Sequence, residues 1–272
     1  MTNPVQDAVM GHACNTTKAP GHWVLARLGK KVLRPGGMEL TRRMLESLAV
    51  NERDDVVEFA PGLGATARIT LRKSPRSYVA IERDERAATT VRQLLTEPRH
   101  RCILGRAEQT GLGDQCATVV YGEAMLTMQS QAAKSRIISE AARLLVPGGR
   151  YGIHEIALVP DEIDTKTTAQ ICSELSDAIH HSVAPLTLTG WRDTLSQHGF
   201  HVRVERTAPM HLLEPSRLLA DEGFGGAMRF AWNLLRDTKS RERVMRMRGV
   251  FRKYENHLVA ITLVSEKRQS AE

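Results

Sequence analysis

Hydrophobic and polar positions follow two different periods along this chain, and segments of the two kinds alternate. Residues 131–145 place apolar side chains on one helical stripe and stop before Pro147-Gly148-Gly149, which predicts a terminated helix. Apolar runs rich in β-branched residues, typical of buried strands, occupy 55–59, 78–82, 102–104, 117–122 and 150–158. Strands and helices that alternate at this spacing predict βαβ units and a parallel sheet covered on both faces. The carboxyl ends of the strands then share one edge, where such sheets bind ligands.

The N-terminal segment has a different pattern. Residues 1–20 are polar and lack a period, which predicts a flexible arm. Amphipathic helices are predicted at about 21–33 and 38–49, with a break at Arg34-Pro35-Gly36-Gly37. We expect residues 21–50 to form a helical cap on the sheet.

The C-terminal third continues the alternation once and then inserts a long helical segment. A helix is predicted at 188–198, a strand at 200–206 and a last strand at 257–266. If these two strands are antiparallel neighbours, their connection leaves from the carboxyl edge and returns to it. Residues 207–256 would then cover that edge as a helical lid, and 21–272 would form a single domain.

Composition narrows the class of protein. The chain has 272 residues, of which 42% are hydrophobic and 25% charged, and it shows no apolar run as long as the roughly 18 residues of a membrane span. No signal peptide is evident, so a cytoplasmic enzyme or binding protein is expected. The four cysteines lack CxxC spacing, which disfavours a zinc site or a disulfide framework, and no metal is expected.

The positive charge is concentrated in one place. The formal net charge is +7, and residues 236–253 alone hold eight Lys/Arg and two acids, a net +6. No aromatic platform accompanies this segment, so nucleic-acid binding is not expected. Two interpretations of the segment remain open: a solvated helix face, or a surface that attracts an anionic acceptor.

The stretch VVEFAPGLGATA at 56–67 carries the most specific signal. It predicts a strand, a tight turn and a helix, in which Gly62 and Gly64 let the backbone turn and let a ligand come close. Ala60 stands where a further glycine is common in nucleotide-binding loops. Glu58 lies at the end of the strand, and a turn of this kind is by itself weak evidence for a cofactor site.

Three further segments reach the same predicted edge. Glu82 ends the second strand, 18 residues after Gly64, where an acid can accept hydrogen bonds from both hydroxyls of a ribose. The segment LGRAEQTGL at 104–112 follows the third strand, and Glu123 follows the fourth. Together with the loop, they predict a nucleotide-type cofactor site.

In order and spacing these motifs resemble those of class I S-adenosylmethionine-dependent methyltransferases, of the small-molecule kind that includes ubiquinone- and menaquinone-biosynthesis enzymes. The resemblance covers roughly residues 40–206 and the last strand. It implies a Rossmann-like, doubly wound, mostly parallel seven-stranded sheet with an antiparallel last strand, an N-terminal helical cap and a helical lid. The turn of LLVPGGRYGIHE at 144–155 also matches the family, where a Leu-x-Pro-Gly-Gly turn leads into strand five.

The resemblance implies S-adenosylmethionine as cofactor and S-adenosylhomocysteine as product. The sequence departs from the family pattern at Ala60, where glycine is usual, and at Arg106, where aspartate is usual near the adenine. The residues that it implies for cofactor binding are Glu58, Ala60, Gly62, Gly64, Glu82, Arg83, Arg106, Ala107, Glu108 and Glu123.

Two other functions remain as alternatives. A nicotinamide or flavin oxidoreductase would favour a third glycine where Ala67 stands, and a second nucleotide-binding half. A non-catalytic S-adenosylmethionine-binding or interaction protein would use the lid as an association surface. Glu58, the acid that precedes the loop, lies near the expected position of the ammonium group of S-adenosylmethionine. This favours S-adenosylmethionine over a dinucleotide as the cofactor.

Methyl transfer needs positioning in a dry site, and a base only if the acceptor must lose a proton. Candidates for that base are Glu123, His154 or Glu155 on strand five, and His22 in the first helix, with His211 at the entrance of the lid. The acceptor is expected to be a small molecule, apolar or anionic, methylated at oxygen or else at carbon. The sequence leaves open whether the protein forms an oligomer.

Overall fold

The computed structural model describes residues 20–30 and 34–269. Helices in these residues are α1 (Gly21–Arg27), α2 (Gly37–Leu48), α3 (Ala65–Leu71), α4 (Glu85–Arg92), α5 (Gln131–Leu144), α6 (Thr165–Ile179), α7 (Leu188–Gln197), α8 (Pro215–Arg236) and α9 (Thr238–Lys253). Strands are β1 (Asp55–Phe59), β2 (Ser77–Glu82), β3 (His100–Leu104), β4 (Ala117–Glu123), β5 (Leu145–Leu158), β6 (Leu186–Thr187), β7 (Phe200–Pro209) and β8 (Leu258–Lys267). The predicted arm lies, apart from Pro20, outside the described residues.

Seven of the described strands form one continuous order in the sheet, β3-β2-β1-β4-β5-β8-β7. Strands β1 to β5 are parallel, and β8 is antiparallel to both β5 and β7. The predicted Rossmann-like sheet with an antiparallel last strand is confirmed. The two-residue strand β6, which pairs with the end of β5, is an addition that is too short to give a sequence pattern.

The first helix is shorter than predicted. Periodicity indicated a helix to about residue 33, of which 31–33 lie outside the described residues. In the described part, α1 ends at Arg27 and Gly29 adopts a φ of +100°. A backbone in this left-handed region cannot continue a right-handed helix, so Gly29 ends it despite the apolar residues beyond.

Strand β5 begins earlier than the predicted 150. Leu145 is fully buried and pairs with Ala117, so the chain passes from α5 directly into the sheet. Pro147-Gly148-Gly149 lies inside a register irregularity of β5, where Gly148 has a φ of +75°. The family-like turn is therefore a bulge within the strand.

Three hydrophobic clusters hold the domain together. One lies between the sheet and α5 with α7, and another lies on the opposite face under α2, α3 and α4. The third joins α1, α6, α8 and α9 with the end of β5 and includes Leu25, Ile171, Phe230 and Met247. The helical cap and the inserted helices therefore share a core of their own beside the carboxyl edge of the sheet.

Polar contacts tie the inserted helices to the N-terminal ones. Asp221 of α8 accepts a hydrogen bond from the backbone N–H of Met38 (2.9 Å), and its carboxylate lies 3.5 Å from the buried ammonium group of Lys30. Arg27 pairs with Asp237 at 2.5 Å. The division into cap 21–50, lid 207–256 and one domain over 21–272 stays a prediction. In the part of the chain that the structure describes, no helix is both long and apolar enough to cross a membrane.

Candidate active site

The site lies at the carboxyl edge where the strand order reverses between β1 and β4, the usual ligand position in such sheets. The loop after β1 turns through left-handed conformations at Ala60 (φ +50°), Gly62 (+56°) and Gly64 (+72°). A Cβ on Gly62 would meet no atom within 4 Å, whereas one on Gly64 would lie 2.5 Å from a methyl group of Leu94. Gly62 is thus open to a ligand, and Gly64 is needed for packing against the end of α4.

Ala60 adopts the conformation that the missing glycine would favour. For an L-residue the left-handed region costs about 1–2 kcal/mol, because Cβ approaches the following carbonyl. We expect Ala60→Gly to raise the free energy of unfolding by about 0.5–1 kcal/mol, since part of this relief is offset by the greater freedom of glycine in the unfolded chain.

Urea denaturation of Ala60→Gly and of Ala67→Gly tests this expectation. Ala67 is buried inside α3, so its replacement by glycine should instead cost about 1 kcal/mol. A loss of stability in Ala60→Gly as large as that in Ala67→Gly would contradict the strain at Ala60.

Glu82 connects the loop to the turn after β2. Its carboxylate accepts hydrogen bonds from the backbone N–H groups of Gly62 (3.0 Å), Arg83 (2.8 Å) and Asp84 (3.0 Å). The side chain is largely buried yet lines the cavity described below. This arrangement fixes the carboxylate and leaves lone pairs for a ligand hydroxyl, so the ribose role of Glu82 stays a prediction.

Replacement of Glu82 by alanine is expected to weaken the binding of S-adenosylhomocysteine about 10- to 100-fold, the usual range for hydrogen bonds to a charged group. Isothermal titration calorimetry provides the measurement. Glu85→Ala serves as the control, because Glu85 lies three residues further on, at the exposed start of α4, and pairs with Arg92. Equal affinities of Glu82→Ala and wild type would remove the ribose role.

Glu58 is buried among aromatic hydroxyl groups. Tyr78 and Tyr121 both donate hydrogen bonds to its Oε2, the latter at 2.8 Å. Burial raises the pKa of the Glu58 carboxyl to about 7, although both tyrosines favour its charged form. A carboxyl group in this environment can gain or lose a proton near neutral pH.

Arg34, in the loop that precedes α2, forms a buried ion pair with Glu123 at the end of β4. Arg34 donates through Nη1 to Glu123 and to the hydroxyl of Thr66, which itself donates to Glu123 at 2.7 Å. Burial would raise the pKa of Glu123, but Arg34 and the hydrogen bonds outweigh it and lower that pKa to about 2. Glu123 is therefore ionised at neutral pH and is a weak base.

The two remaining hydrogen-bond donors of the Arg34 guanidinium indicate a position where a ligand binds. Its Nε and Nη2 are buried and have no hydrogen-bond partner among the described residues. Buried guanidinium groups are almost always paired, and Arg34 lines the cavity. An anionic group of a ligand would satisfy these two donors in the bidentate geometry that guanidinium favours.

His154 and Glu155 face opposite sides of β5, as alternation along a strand requires. His154 is fully buried behind Glu123. Its Nε2 donates to the carbonyl oxygen of Pro35 at 2.6 Å, and its Nδ1 lies 3.4 Å from Glu123. Glu155 accepts four hydrogen bonds, from the N–H groups of Met125, Leu126 and Thr127 and from the Thr127 hydroxyl (2.6–3.0 Å). Glu155 therefore fixes the chain after β4.

Glu58, Glu82, Arg34, Glu123 and Glu155 border a cavity of about 690 Å³, and its lining residues fall into two groups by their place in the fold. The part next to β1–β3 is lined by the loop, by Glu82 and by the segment Gly105–Glu108. The other part, beneath the cap and the inserted helices, is mainly apolar and is lined by Trp23, Met125, Met128, Ile156, Ile179, Val183, Met210, Leu212, Met247 and Phe251.

Solved structures with the same fold are methyltransferases or related proteins. The protein named MccD superposes with a TM-score of 0.68 at 18% identity, covering 86% of this chain and 99% of that one. Phosphoethanolamine N-methyltransferase 2 of Haemonchus contortus, solved with phosphomonomethylethanolamine and S-adenosylhomocysteine, gives a TM-score of 0.69 at 12% identity. It covers 99% of this chain, which spans 61% of its length.

Comparison of the sequence with known proteins identifies a family model and a relative. Residues 57–153 match the family model described as a methyltransferase domain. A Haemophilus influenzae protein of uncharacterised function is 31% identical over 252 residues, which is 91% of this chain and 98% of that protein. The chain belongs to the class I S-adenosylmethionine-dependent methyltransferases. The resemblance to the ubiquinone- and menaquinone-biosynthesis group stays a prediction.

The methyltransferase uses S-adenosylmethionine as cofactor and releases S-adenosylhomocysteine. Its cavity fits that group. Gly62 leaves open space beside the loop, Glu82 presents a fixed carboxylate, and Arg34 has two donors that no described residue occupies and that suit a carboxylate. The comparisons favour a methyltransferase over both alternatives, an oxidoreductase and a non-catalytic binding protein.

The other predicted site residues occupy different surroundings. Arg83, Arg106, Ala107 and Glu108 line the part of the cavity next to β1–β3, where exposed Arg106 pairs with Glu108 at 2.6 Å, and their cofactor roles stay predictions. His211 is exposed at the start of the inserted segment. The side chain of His22 lies outside the described part of the structure.

Sequence reasoning missed the partners of the predicted acids in this methyltransferase. Arg34 was noticed only as part of a break between helices, and Tyr78, Tyr121 and Thr66 were not singled out. Period-two alternation places Tyr78 and Tyr121 on the same face of the sheet as Glu58, which was an available signal. No local pattern shows that the loop at Arg34 folds over the end of β4.

Proposed function

We propose that the enzyme transfers the methyl group of S-adenosylmethionine to an apolar small molecule, at oxygen or else at carbon. The observation that carries this proposal is the apolar part of the cavity beside the cofactor part. Apolar walls of this kind take up hydrophobic or aromatic ligands and exclude water, which favours methyl transfer by positioning.

The amino-acid end of the cofactor would lie between β1 and β4. Arg34 would hold its carboxylate through Nε and Nη2, and Glu123 would keep the guanidinium in place through Nη1. The open side of Gly62 and the carboxylate of Glu82 would receive the rest of the cofactor. The cofactor supplies an electrophilic methyl group on a sulfonium.

The acid groups of the site favour an acceptor that loses its proton easily. Glu123 has a pKa of about 2 and is held by Arg34, so it removes protons poorly. Glu155 already accepts four hydrogen bonds. An acidic hydroxyl, such as a phenol or enol, or a carbon acid next to a carbonyl would react without a strong base from these two groups.

Transfer of a deuterated methyl group tests the proposal. The purified enzyme would be incubated with methyl-deuterated S-adenosylmethionine and a metabolite extract, and labelled products would be identified by mass spectrometry. We expect the label in organic-soluble small molecules, with fragmentation that places the methyl group on oxygen or carbon. Label found only in protein or nucleic acid would overturn the proposal.

A variant of the apolar wall separates acceptor binding from cofactor binding. Ile179 lines the apolar part of the cavity at the end of α6. Ile179→Trp should fill that part, abolish transfer and leave the affinity for S-adenosylhomocysteine within about twofold of wild type. Full activity in this variant would place the acceptor elsewhere.

A further inference from the structure

Exposed large apolar side chains are concentrated on α8 and α9. Among the described residues, every markedly exposed large hydrophobic side chain except Leu104 lies on one of these helices: Leu219, Phe224, Met228, Trp232, Leu235 and Met245. Single exposed apolar residues are ordinary on protein surfaces, whereas a cluster of this kind marks a site of interaction.

Four of them form one continuous row. Phe224, Met228, Trp232 and Leu235 follow at intervals of four, four and three residues, so they share one face of α8, here named the α8 stripe. Their exposed fractions are 75%, 55%, 60% and 66%. Together they present a broad apolar surface to solvent.

The fold does not need this face for packing. The opposite side of α8 carries Phe230, which is buried in the cluster shared by α1, α6 and α9. Asn233 on that side donates to the carbonyl oxygen of Leu28 at 3.1 Å. Since the inner face already holds the helix in place, the α8 stripe is available to a partner.

Basic residues border the stripe on α8 and continue along α9. Arg229 and Arg236 are exposed on α8, and the Arg236 guanidinium lies 5.6 Å from the ring centre of Trp232. Exposed Lys239, Arg241 and Arg246 continue the positive charge along α9, with Glu242 among them. Other basic residues of α9 already have acidic partners within the protein: Arg248 and Arg252 pair with Glu214, and Lys253 pairs with Glu174.

We propose that the α8 stripe and its basic border dock on an anionic lipid bilayer. Aromatic and aliphatic side chains would enter the boundary between headgroups and acyl chains, and the surrounding Arg and Lys would contact lipid phosphates. A second copy of this chain fits less well, because a contact through the stripe would bring together two surfaces that both carry positive charge.

The inner face of α9 gives this docking a consequence for the active site. Met247 and Phe251 on that face line the apolar part of the cavity, while Met245 and Arg246 point outward. Binding at the bilayer would bring the apolar part of the cavity close to the lipid phase. The docking itself does not depend on the identity of the acceptor.

Vesicle flotation of the full chain tests the proposal. The protein would be mixed at low ionic strength with vesicles of phosphatidylcholine, with or without phosphatidylglycerol. We expect it to float with the anionic vesicles only, and the emission of exposed Trp232 to shift to the blue on binding, while fully buried Trp191 stays unchanged.

Two double variants and a matched control assign the contact. Phe224→Ser with Trp232→Ser should reduce vesicle binding by about 100-fold or more. Arg236→Glu with Lys239→Glu should reduce it by about 30-fold or more. Arg72→Glu with Lys73→Glu, at the exposed end of α3, changes the net charge equally and should leave binding close to wild type.

Three results would overturn the proposal. One is the absence of binding to anionic vesicles at low ionic strength. Another is vesicle binding that neither Phe224→Ser with Trp232→Ser nor Arg236→Glu with Lys239→Glu reduces. The third is a dimer in sedimentation equilibrium that Phe224→Ser with Trp232→Ser dissociates, because the stripe would then be an interface between copies. Circular dichroism of each variant confirms that it is folded.

Discussion

Replacement of Arg34 by alanine is expected to lower the free energy of unfolding by about 3–5 kcal/mol, because it leaves the Glu123 carboxylate buried without its cation. We also expect the affinity for S-adenosylhomocysteine to fall about 10- to 100-fold, since Nε and Nη2 of Arg34 would no longer reach the cofactor's carboxylate. This is the largest effect that the site geometry implies for a single substitution.

Two ligands distinguish the binding role from the structural one. Methylthioadenosine has the adenosine and sulfur of the cofactor but lacks its amino-acid end, so its affinity should be almost the same in folded Arg34→Ala and wild type. Calorimetry with both ligands gives the comparison. An equal loss of affinity for the two ligands would place Arg34 in a structural role only.

Two further variants separate the effect of the unpaired Glu123 charge on stability from the effect of Arg34 on cofactor affinity. Arg34→Ala combined with Glu123→Gln removes the unpaired carboxylate and should recover most of the lost stability without recovering the cofactor affinity. Arg34→Lys keeps a positive charge near Glu123 but lacks the planar fork. We expect it to restore stability more fully than affinity.

Glu58→Gln is expected to make the protein more stable than wild type at pH 8, by about 3 kcal/mol, and almost equally stable at pH 4. Burial raises the pKa of Glu58 from 4.5 to about 7 in the folded protein, so folding takes up a proton between these values. The contribution of Glu58 to wild-type stability is therefore greatest below about pH 4.5 and falls as the pH rises to about 7. Glutamine carries no charge and avoids that loss.

Urea unfolding of the ligand-free protein between pH 4 and pH 8 measures this difference. Glu140→Gln provides a control of opposite sign, since hydrogen bonds from Arg143 lower the pKa of Glu140 to about 2. Its substitution should cost stability at neutral pH and progressively less as the pH falls. A difference between Glu58→Gln and wild type that stays constant over the whole pH range would show that Glu58 ionises as an ordinary carboxyl group.

The sequence predicted the order of elements and the cofactor because both depend on local patterns. Alternating apolar runs identified β1 to β5, and the loop with Gly62 and the acid at Glu82 came to the same edge, as the parallel topology requires. The lengths of α1 and β5 were predicted less well. The backbone conformation at Gly29 ends α1, whereas β5 starts early because Leu145 already pairs with Ala117 and the turn at Gly148 is a bulge within the strand.

The roles of the acids could not be predicted from their positions in the chain. Glu123, Glu155 and Glu58 all reach the carboxyl edge region, yet their partners differ. Glu123 pairs with Arg34, Glu155 accepts hydrogen bonds from the chain after β4, and Glu58 is buried between two tyrosines. The same functional group is held ionised in Glu123 and titrates near neutral pH in Glu58.

By itself, the sequence of this protein predicted the sheet, a candidate cofactor loop and the methyltransferase family, because strand period, turn residues and motif spacing are local features of the chain. Only the tertiary structure decided that the described residues leave two donors of Arg34 unpaired and the α8 stripe uncovered, and that the pKa of Glu58 is raised. Charge state, pairing and exposure depend on residues that are distant in the chain and meet only when it folds.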